Sequence, residues 1–76
     1  MATSDEHAEF CERVKNRRKE LGLTQLQVAE RLGMTQSTYA NIERGRYEPG
    51  LNLVIRVAGA LQIPPGELLP AVVRSH

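Results

Sequence analysis

Between residues 36 and 46 the chain sets out two side-chain amides, a hydroxyl, a methyl and two guanidinium groups: Gln36, Asn41, Ser37, Ala40, Arg44 and Arg46. An amide that donates and accepts side by side matches the edge of an adenine. Gln36 and Asn41 can each pair bidentately with that base, for a discrimination of about 1–3 kcal/mol per good pair. Ser37 can donate or accept, and the Ala40 methyl can meet a thymine methyl. Arg44 and Arg46 supply charge for phosphates, a contact that fixes position without reading sequence. Upstream, Thr24 and Gln25 stand at a helix start, where free backbone N–H groups and a partial positive charge suit a phosphate. Thr35 holds the same place one helix later. The candidate base contacts are therefore Gln36, Ser37, Ala40 and Asn41, and the candidate phosphate contacts Thr24, Gln25, Thr35, Arg44 and Arg46. The competing reading makes Gln36 and Ser37 ordinary first-turn polar residues and the two arginines plain surface cations.

Bond-making chemistry has little to work with. His7 and His76 lie near the ends, in stretches expected to be mobile, and no Ser/His/Asp, Cys/His or phosphate-loop constellation is present. Cys11 is the single cysteine, which excludes an internal disulfide and a cysteine-based zinc site and fits a reducing, cytoplasmic setting. It reads as a half-buried helical residue. No metal, cofactor or small-molecule ligand is expected, and the reading is not of an enzyme.

The elements that must position these groups follow from periodicity and caps. Thr35 is an N-cap, Met34 and Tyr39 can staple across it, and Gly45 is a natural stop. On the helix between them, Gln36, Ser37, Ala40, Asn41 and Arg44 share an arc of about 140°, while Thr38, Tyr39 and Ile42 occupy the opposite side. Just before it, Thr24-Gln25-Leu26-Gln27 forms a capping box, with Leu23 and Val28 as a hydrophobic staple. Val28, Ala29 and Leu32 make the inner face, and Gly33 ends that helix. Two short helices joined by a tight turn containing glycine make a helix-turn-helix arrangement.

A first helix is expected from about residue 6 to 21, with Phe10, Val14 and Leu21 buried and Gly22 as its cap. Arg18 projects onto its apolar side and so demands a carboxylate. Glu43, at the border of the two arcs downstream, is the partner proposed. Residues 51–61 follow as a helix apolar far around its axis, with only Asn52, Arg56 and Gly59 marking a solvent side and Gly50 or Asn52 at its start. Pro64-Pro65 opens a last short helix with Leu68 and Leu69 inward, and Pro70 stops it. No strand pattern appears, so the class is all-α. The domain is expected over 6–70, with a flexible start at 1–5 and a tail at 71–76.

Seventy-six residues make one small domain with an aliphatic core, since the chain has no Trp, one Phe and two Tyr. No apolar run approaches the ~20 residues of a membrane span. The net charge is only +1, but residues 13–46 carry eight basic residues against three acidic ones. Lys15, Arg17 and Lys19 within that stretch read as solvated.

Taken together, Leu23-Thr24-Gln25, Ala29, Leu32-Gly33, Thr35-Gln36-Ser37, Ile42-Glu43-Arg44-Gly45, Pro49, Leu51, Ala58 and Leu61 resemble the Cro and phage-repressor type of helix-turn-helix domain, over roughly residues 10 to 69. The resemblance implies a five-helix lambda-repressor-like fold whose second and third helices form the DNA-binding unit, the third entering the major groove. It also implies an ion pair between an arginine of the first helix and a glutamate ending the third, positions held by Arg18 and Glu43. Two residues depart from the pattern: Leu26, where a polar residue is usual, and Gly59, on the outer side of its helix. The expected function is a sequence-specific double-stranded-DNA-binding transcriptional regulator. It would act as a homodimer formed through the fourth helix, the fifth helix and the apolar tail from Leu68 to Val73. The alternative is a protein-interaction module on the same scaffold, which the exposed Leu26 would suit. Phage repressor, antitoxin-type autoregulator and restriction-modification controller remain open roles.

Overall fold

The computed structural model describes the backbone of residues 2–68 and the side chains of residues 7–68. Within them the chain folds as five helices and no strand: α1 (Ala2–Glu20), α2 (Gln25–Leu32), α3 (Gln36–Glu43), α4 (Leu51–Ala60) and α5 (Pro65–Leu68). α2 packs on both α3 and α4, α1 lies across α3, and α5 folds back on α4. None of these helices is long and apolar enough to cross a membrane.

α1 begins at Ala2, earlier than the apolar periodicity indicates. Its opening Thr3-Ser4-Asp5-Glu6 run carries no apolar stripe, but acidic residues are favoured in the first turns of a helix. His7, placed by sequence in a mobile end, is instead half-buried on α1, its ring beside Gly45 of the α3–α4 connection.

The core joins Phe10 and Val14 of α1 to Val28, Ala29 and Leu32 of α2. Tyr39 and Ile42 of α3 pack on these, and Val54, Val57 and Ala58 of α4, with Leu61 and Leu68, complete it. Leu68 is wholly buried within its own chain, so it leaves the self-association surface assigned to it by sequence. Residues 69–73 of that surface lie outside the described residues. Cys11 is buried, and its thiol donates to the Ile42 carbonyl at 3.4 Å. Burial, with Glu43 and Glu12 nearby, raises the Cys11 pKa above its ordinary value, which leaves the thiol protonated and unreactive.

The helix ends carry much of the specification. Thr24 Oγ1 accepts from Gln27 N at 3.1 Å while Gln27 Oε1 accepts from Thr24 N at 2.8 Å, which completes the capping box. Gly33 adopts φ +71° after α2, and Met34 N reaches back to Ala29 O at 3.0 Å. That left-handed residue lets the N-cap of α3, Thr35, follow two residues later. The equivalent place after α4 is held by Gln62, the one non-glycine residue with positive φ among those described (56°).

Arginines also donate to carbonyls at the ends of α2, α4 and α5. Arg56 donates to Leu32 O at 2.6 Å and Arg31 to Ala60 O at 3.0 Å. Arg17 spans Leu61 O and Gln62 O, both at 3.0 Å, and Arg13 reaches Glu67 O at 2.6 Å. Arg17 is thus engaged by the protein rather than solvated. The last carbonyls of a helix lack intrahelical partners and sit at the negative end of its dipole, so a nearby cation is drawn to them.

Candidate nucleic-acid interface

Glu43 is the polar centre on which the two short helices are mounted. Its carboxylate accepts four hydrogen bonds: Arg18 Nε at 2.6 Å, Arg18 Nη2 at 3.2 Å, Tyr39 Oη at 2.6 Å and Gln25 Nε2 at 3.0 Å. Four is about the full acceptor capacity of a carboxylate. Arg18 spends its third nitrogen on Leu23 O at 3.0 Å. The side chains of Arg18 and Glu43 are 13% and 4% exposed, so the pair is held out of water. Burial opposes the ionised carboxylate, but the hydrogen bonds from Arg18, Tyr39 and Gln25 outweigh it and keep the Glu43 pKa below its usual value. Arg18 is raised in turn, chiefly by its bond to Glu43. Burial and the bond to Glu43 push the Tyr39 hydroxyl far above its normal range, so it stays a donor.

With Tyr39 and Ile42 anchored inward, the opposite side of α3 is turned out. Gln36, Ser37 and Arg44 are exposed, Asn41 is half-buried, and Ala40 is nearly covered. These five line a shallow open recess of about 420 Å³, closed on one side by Gln25 of α2. Ala40 contributes to its floor rather than to a projecting tip. No acidic side chain lines the recess.

Each residue proposed for phosphate contact has a distinct local state. Thr24 is an exposed N-cap whose oxygen serves Gln27 N. Thr35 Oγ1 accepts from Thr38 N at 3.2 Å and donates to Thr38 Oγ1 at 2.9 Å. Gln25 is half-buried and already gives one amide hydrogen to Glu43, which leaves a second N–H and its carbonyl oxygen. The backbone N–H groups of Gln25 and Leu26, in the first turn of α2, have no intrahelical acceptor. Arg44 and Arg46 are exposed, and no described residue pairs with either. They differ in this from Arg13, Arg17, Arg18, Arg31 and Arg56, each of which donates at least one hydrogen bond within the protein.

Sequence reasoning did not anticipate Gln25 and Tyr39 as partners of Glu43. The capping-box spacing accounted for Gln25 as a first-turn residue and the apolar arc accounted for Tyr39, so neither raised an unmet demand. Two surface features complete the description. Leu26 is 46% exposed on the outer side of α2, and Tyr47, Leu51 and Ile55 are 44%, 55% and 47% exposed at intervals of four residues across the start of α4.

Comparison with known proteins places this geometry. A family model described as helix-turn-helix matches residues 14–68. The chain is 52% identical over 48 residues to an uncharacterized HTH-type transcriptional regulator of Methanothermobacter thermautotrophicus, covering 63% of this chain and 70% of that protein. It is 50% identical over 52 residues to the immunity repressor protein of Bacillus phage phi105, covering 68% of this chain but only 36% of the repressor's length. The fold matches the crystal structure of the restriction-modification controller protein C.AhdI from Aeromonas hydrophila with a TM-score of 0.77 and 32% identity, over 87% of this chain and 94% of that one.

Proposed function

The chain belongs to the helix-turn-helix family and is a DNA-binding transcriptional regulator, and from that premise we propose that it reads the major groove of double-stranded DNA with the exposed side of α3. Gln36 and Ser37, at the tip of the helix, contact base edges, and Asn41 reaches a third position from the wall of the recess. Ala40 sets the depth to which a thymine methyl can enter. Thr24, Gln25 and the free N–H groups of α2 take a phosphate on one side of the groove. Thr35, Arg44 and Arg46 take phosphates around α3. An eight-residue helix is about 12 Å long, which suits a major groove about 12 Å wide.

One observation carries this reading: the recess between α2 and α3 is lined by amides, a hydroxyl and the Arg44 cation, which no described residue pairs, and contains no acid. A helix face needed only for folding has no reason to collect such groups.

The protein acts as a homodimer on a two-fold site. Tyr47, Leu51 and Ile55 supply the apolar stripe for that contact, being three of the four large hydrophobic residues that are exposed among those described. Half-sites then lie about 34–36 Å apart, one turn of the duplex. A cytoplasmic location fits this role.

The test is selection of bound sequences from a random duplex pool, run in parallel for the wild type and Gln36→Ala. The wild type should enrich a two-fold motif, and the variant should lose preference at one position in each half-site. Enrichment of the same motif at equal strength by both proteins would refute the role of Gln36. Binding that does not weaken with salt would favour a protein partner, for which the exposed Leu26 is the available contact.

A further inference from the structure

We propose that Glu43 is a positioning residue for DNA recognition, acting through Gln25 on the angle between α2 and α3. The inference rests on the recess between these helices being the DNA-binding face. α2 and α3 are joined at one end by the turn through Gly33. Gln25 is the first residue of α2 and Glu43 the last of α3, so both stand at the ends farthest along the chain from that turn. Their 3.0 Å contact is the only side-chain hydrogen bond between the two helices among the described residues. The rest of their junction, Val28, Ala29 and Leu32 against Tyr39 and Ile42, is apolar packing, which resists separation but is non-directional.

The two helices therefore behave as arms with a fixed turn at one end and a single directional tie at the other. What the tie sets is the spacing between two kinds of contact. On one arm stand Gln25 and the free N–H groups of α2, facing phosphate; on the other stand Gln36, Ser37 and Asn41, facing bases. Glu43 is itself 8% exposed and backs onto α1, so it cannot touch DNA. Its carboxylate is in turn held by Arg18 and Tyr39. The chain of contacts fixes the Gln25 side chain before DNA arrives, which removes the ordering cost of a long, rotamer-rich side chain from the binding step. An arm free to drift still meets phosphates, which repeat along the duplex. It loses simultaneous register with base edges, which do not.

A double-mutant cycle read on DNA affinity tests this. Gln25→Met keeps the length and apolar body of the side chain but cuts the tie, and it leaves the Arg18–Glu43–Tyr39 contacts intact. Glu43→Asp withdraws the carboxylate from Gln25 while keeping a charge for Arg18. Affinities are measured for the selected operator and for a random duplex, with the folded fraction checked by circular dichroism. Gln25→Met should bind the operator about tenfold more weakly and the random duplex more weakly by a clearly smaller factor, that of the one amide–phosphate contact it also loses. Folded Glu43→Asp should show the same pattern, and the double variant should be no weaker than either single one. Equal losses on both duplexes in Gln25→Met would overturn the proposal, leaving Gln25 a plain phosphate contact. So would unchanged operator affinity in folded Glu43→Asp, or additive losses in the double variant. If Glu43→Asp does not fold, the ratio of the two affinities in Gln25→Met decides alone. A wild-type protein without sequence preference overturns the groove-reading function itself, and this proposal with it.

Discussion

Replacing Glu43 by glutamine keeps the shape of the side chain and removes one charge from the best-shielded ion pair in the molecule. Glutamine offers one acceptor oxygen where the carboxylate offers two, and its amide nitrogen turns a donor toward other donors. Four hydrogen bonds from Arg18, Tyr39 and Gln25 converge on the native oxygens. At least two of these lose their acceptor. Tyr39 is 0% exposed, and the Arg18 side chain is 13% exposed, so water cannot replace what is lost. An unsatisfied buried donor costs about 1–3 kcal/mol, and removing one member of a buried ion pair about 3–5 kcal/mol. The two routes agree on a loss of about 4 kcal/mol, a large share of the roughly 5–15 kcal/mol a small domain has in total.

Urea and thermal unfolding followed by circular dichroism at pH 7 measure the loss directly. For a domain of this length, about 4 kcal/mol corresponds to a fall in Tm of about 15–30 °C. Replacing Arg18 by Met and Glu43 by Leu together should recover only part of the loss, because the Tyr39 hydroxyl stays buried without an acceptor. Adding Tyr39→Phe should recover most of the rest. Acid sharpens the test. The folded state holds the Glu43 pKa below its ordinary value of 4.5, so the unfolded chain binds the proton first. The contribution is complete above about pH 5 and disappears as the pH falls through the folded-state value. Wild-type stability should therefore decline more steeply below pH 5 than that of Glu43→Gln. A loss under about 1 kcal/mol at pH 7, or parallel pH profiles for the two proteins, would refute this account of the network.

Four further outcomes are expected. Gln62→Gly should stabilise the protein by about 0.5–1 kcal/mol in urea titrations, since it relieves a left-handed residue whose backbone contacts are retained; Gly33→Ala should destabilise it by about 1–2 kcal/mol through backbone conformation alone, because a Cβ there meets nothing within 4 Å. Leu51→Glu with Ile55→Glu should shift sedimentation equilibrium toward monomer with little change in the circular dichroism spectrum; an unchanged mass would remove α4 from the interface. Arg44→Ala and Arg46→Ala should each lower the slope of log K against log salt by about 0.9 per binding chain and weaken operator and random duplex alike, whereas a sequence-dependent loss would make either one a base contact.

What the sequence discloses depends on whether a residue creates a demand that only one kind of partner can meet. Arg18 falls on the apolar side of α1, and a cation there needs a carboxylate, so its pairing with Glu43 can be reasoned from projection. Gln25 and Tyr39 make no such demand. A glutamine in a first turn and a tyrosine on an inner face are each complete without Glu43, so their convergence is visible only in three dimensions. Thr24, Gly33 and Thr35 are legible for a different reason: caps act within four residues, and their signals are local. The bonds from Arg13 to Glu67 and from Arg17 to Leu61 cross most of the chain. They obey no period, which is why Arg17 reads as a solvated cation. The early start of α1 is hidden because its first turns bury no stripe, and the conformation of Gln62 because glycine normally marks that place.

The division of labour among the arginines bears on how the DNA-binding face should be judged in such a small protein. A net charge of +1 suggests almost no attraction to a polyanion, and the excess of basic residues over 13–46 suggests a good deal. Both quantities count charges without asking where they are spent. Arg13, Arg17, Arg31 and Arg56 hold helix ends, and Arg18 neutralises a buried carboxylate. Each is held in place by the fold, and the Arg18 charge is neutralised by Glu43. Among the described arginines, those paired with no described residue are Arg44, which lines the recess, and Arg46, two residues further on. Pairing Glu43 with Arg18 also keeps a negative charge from facing that recess only one residue away from Arg44. The same ion pair that holds α1 to α3 thus keeps negative charge off the proposed recognition face, and stability and electrostatics at this site cannot be altered independently.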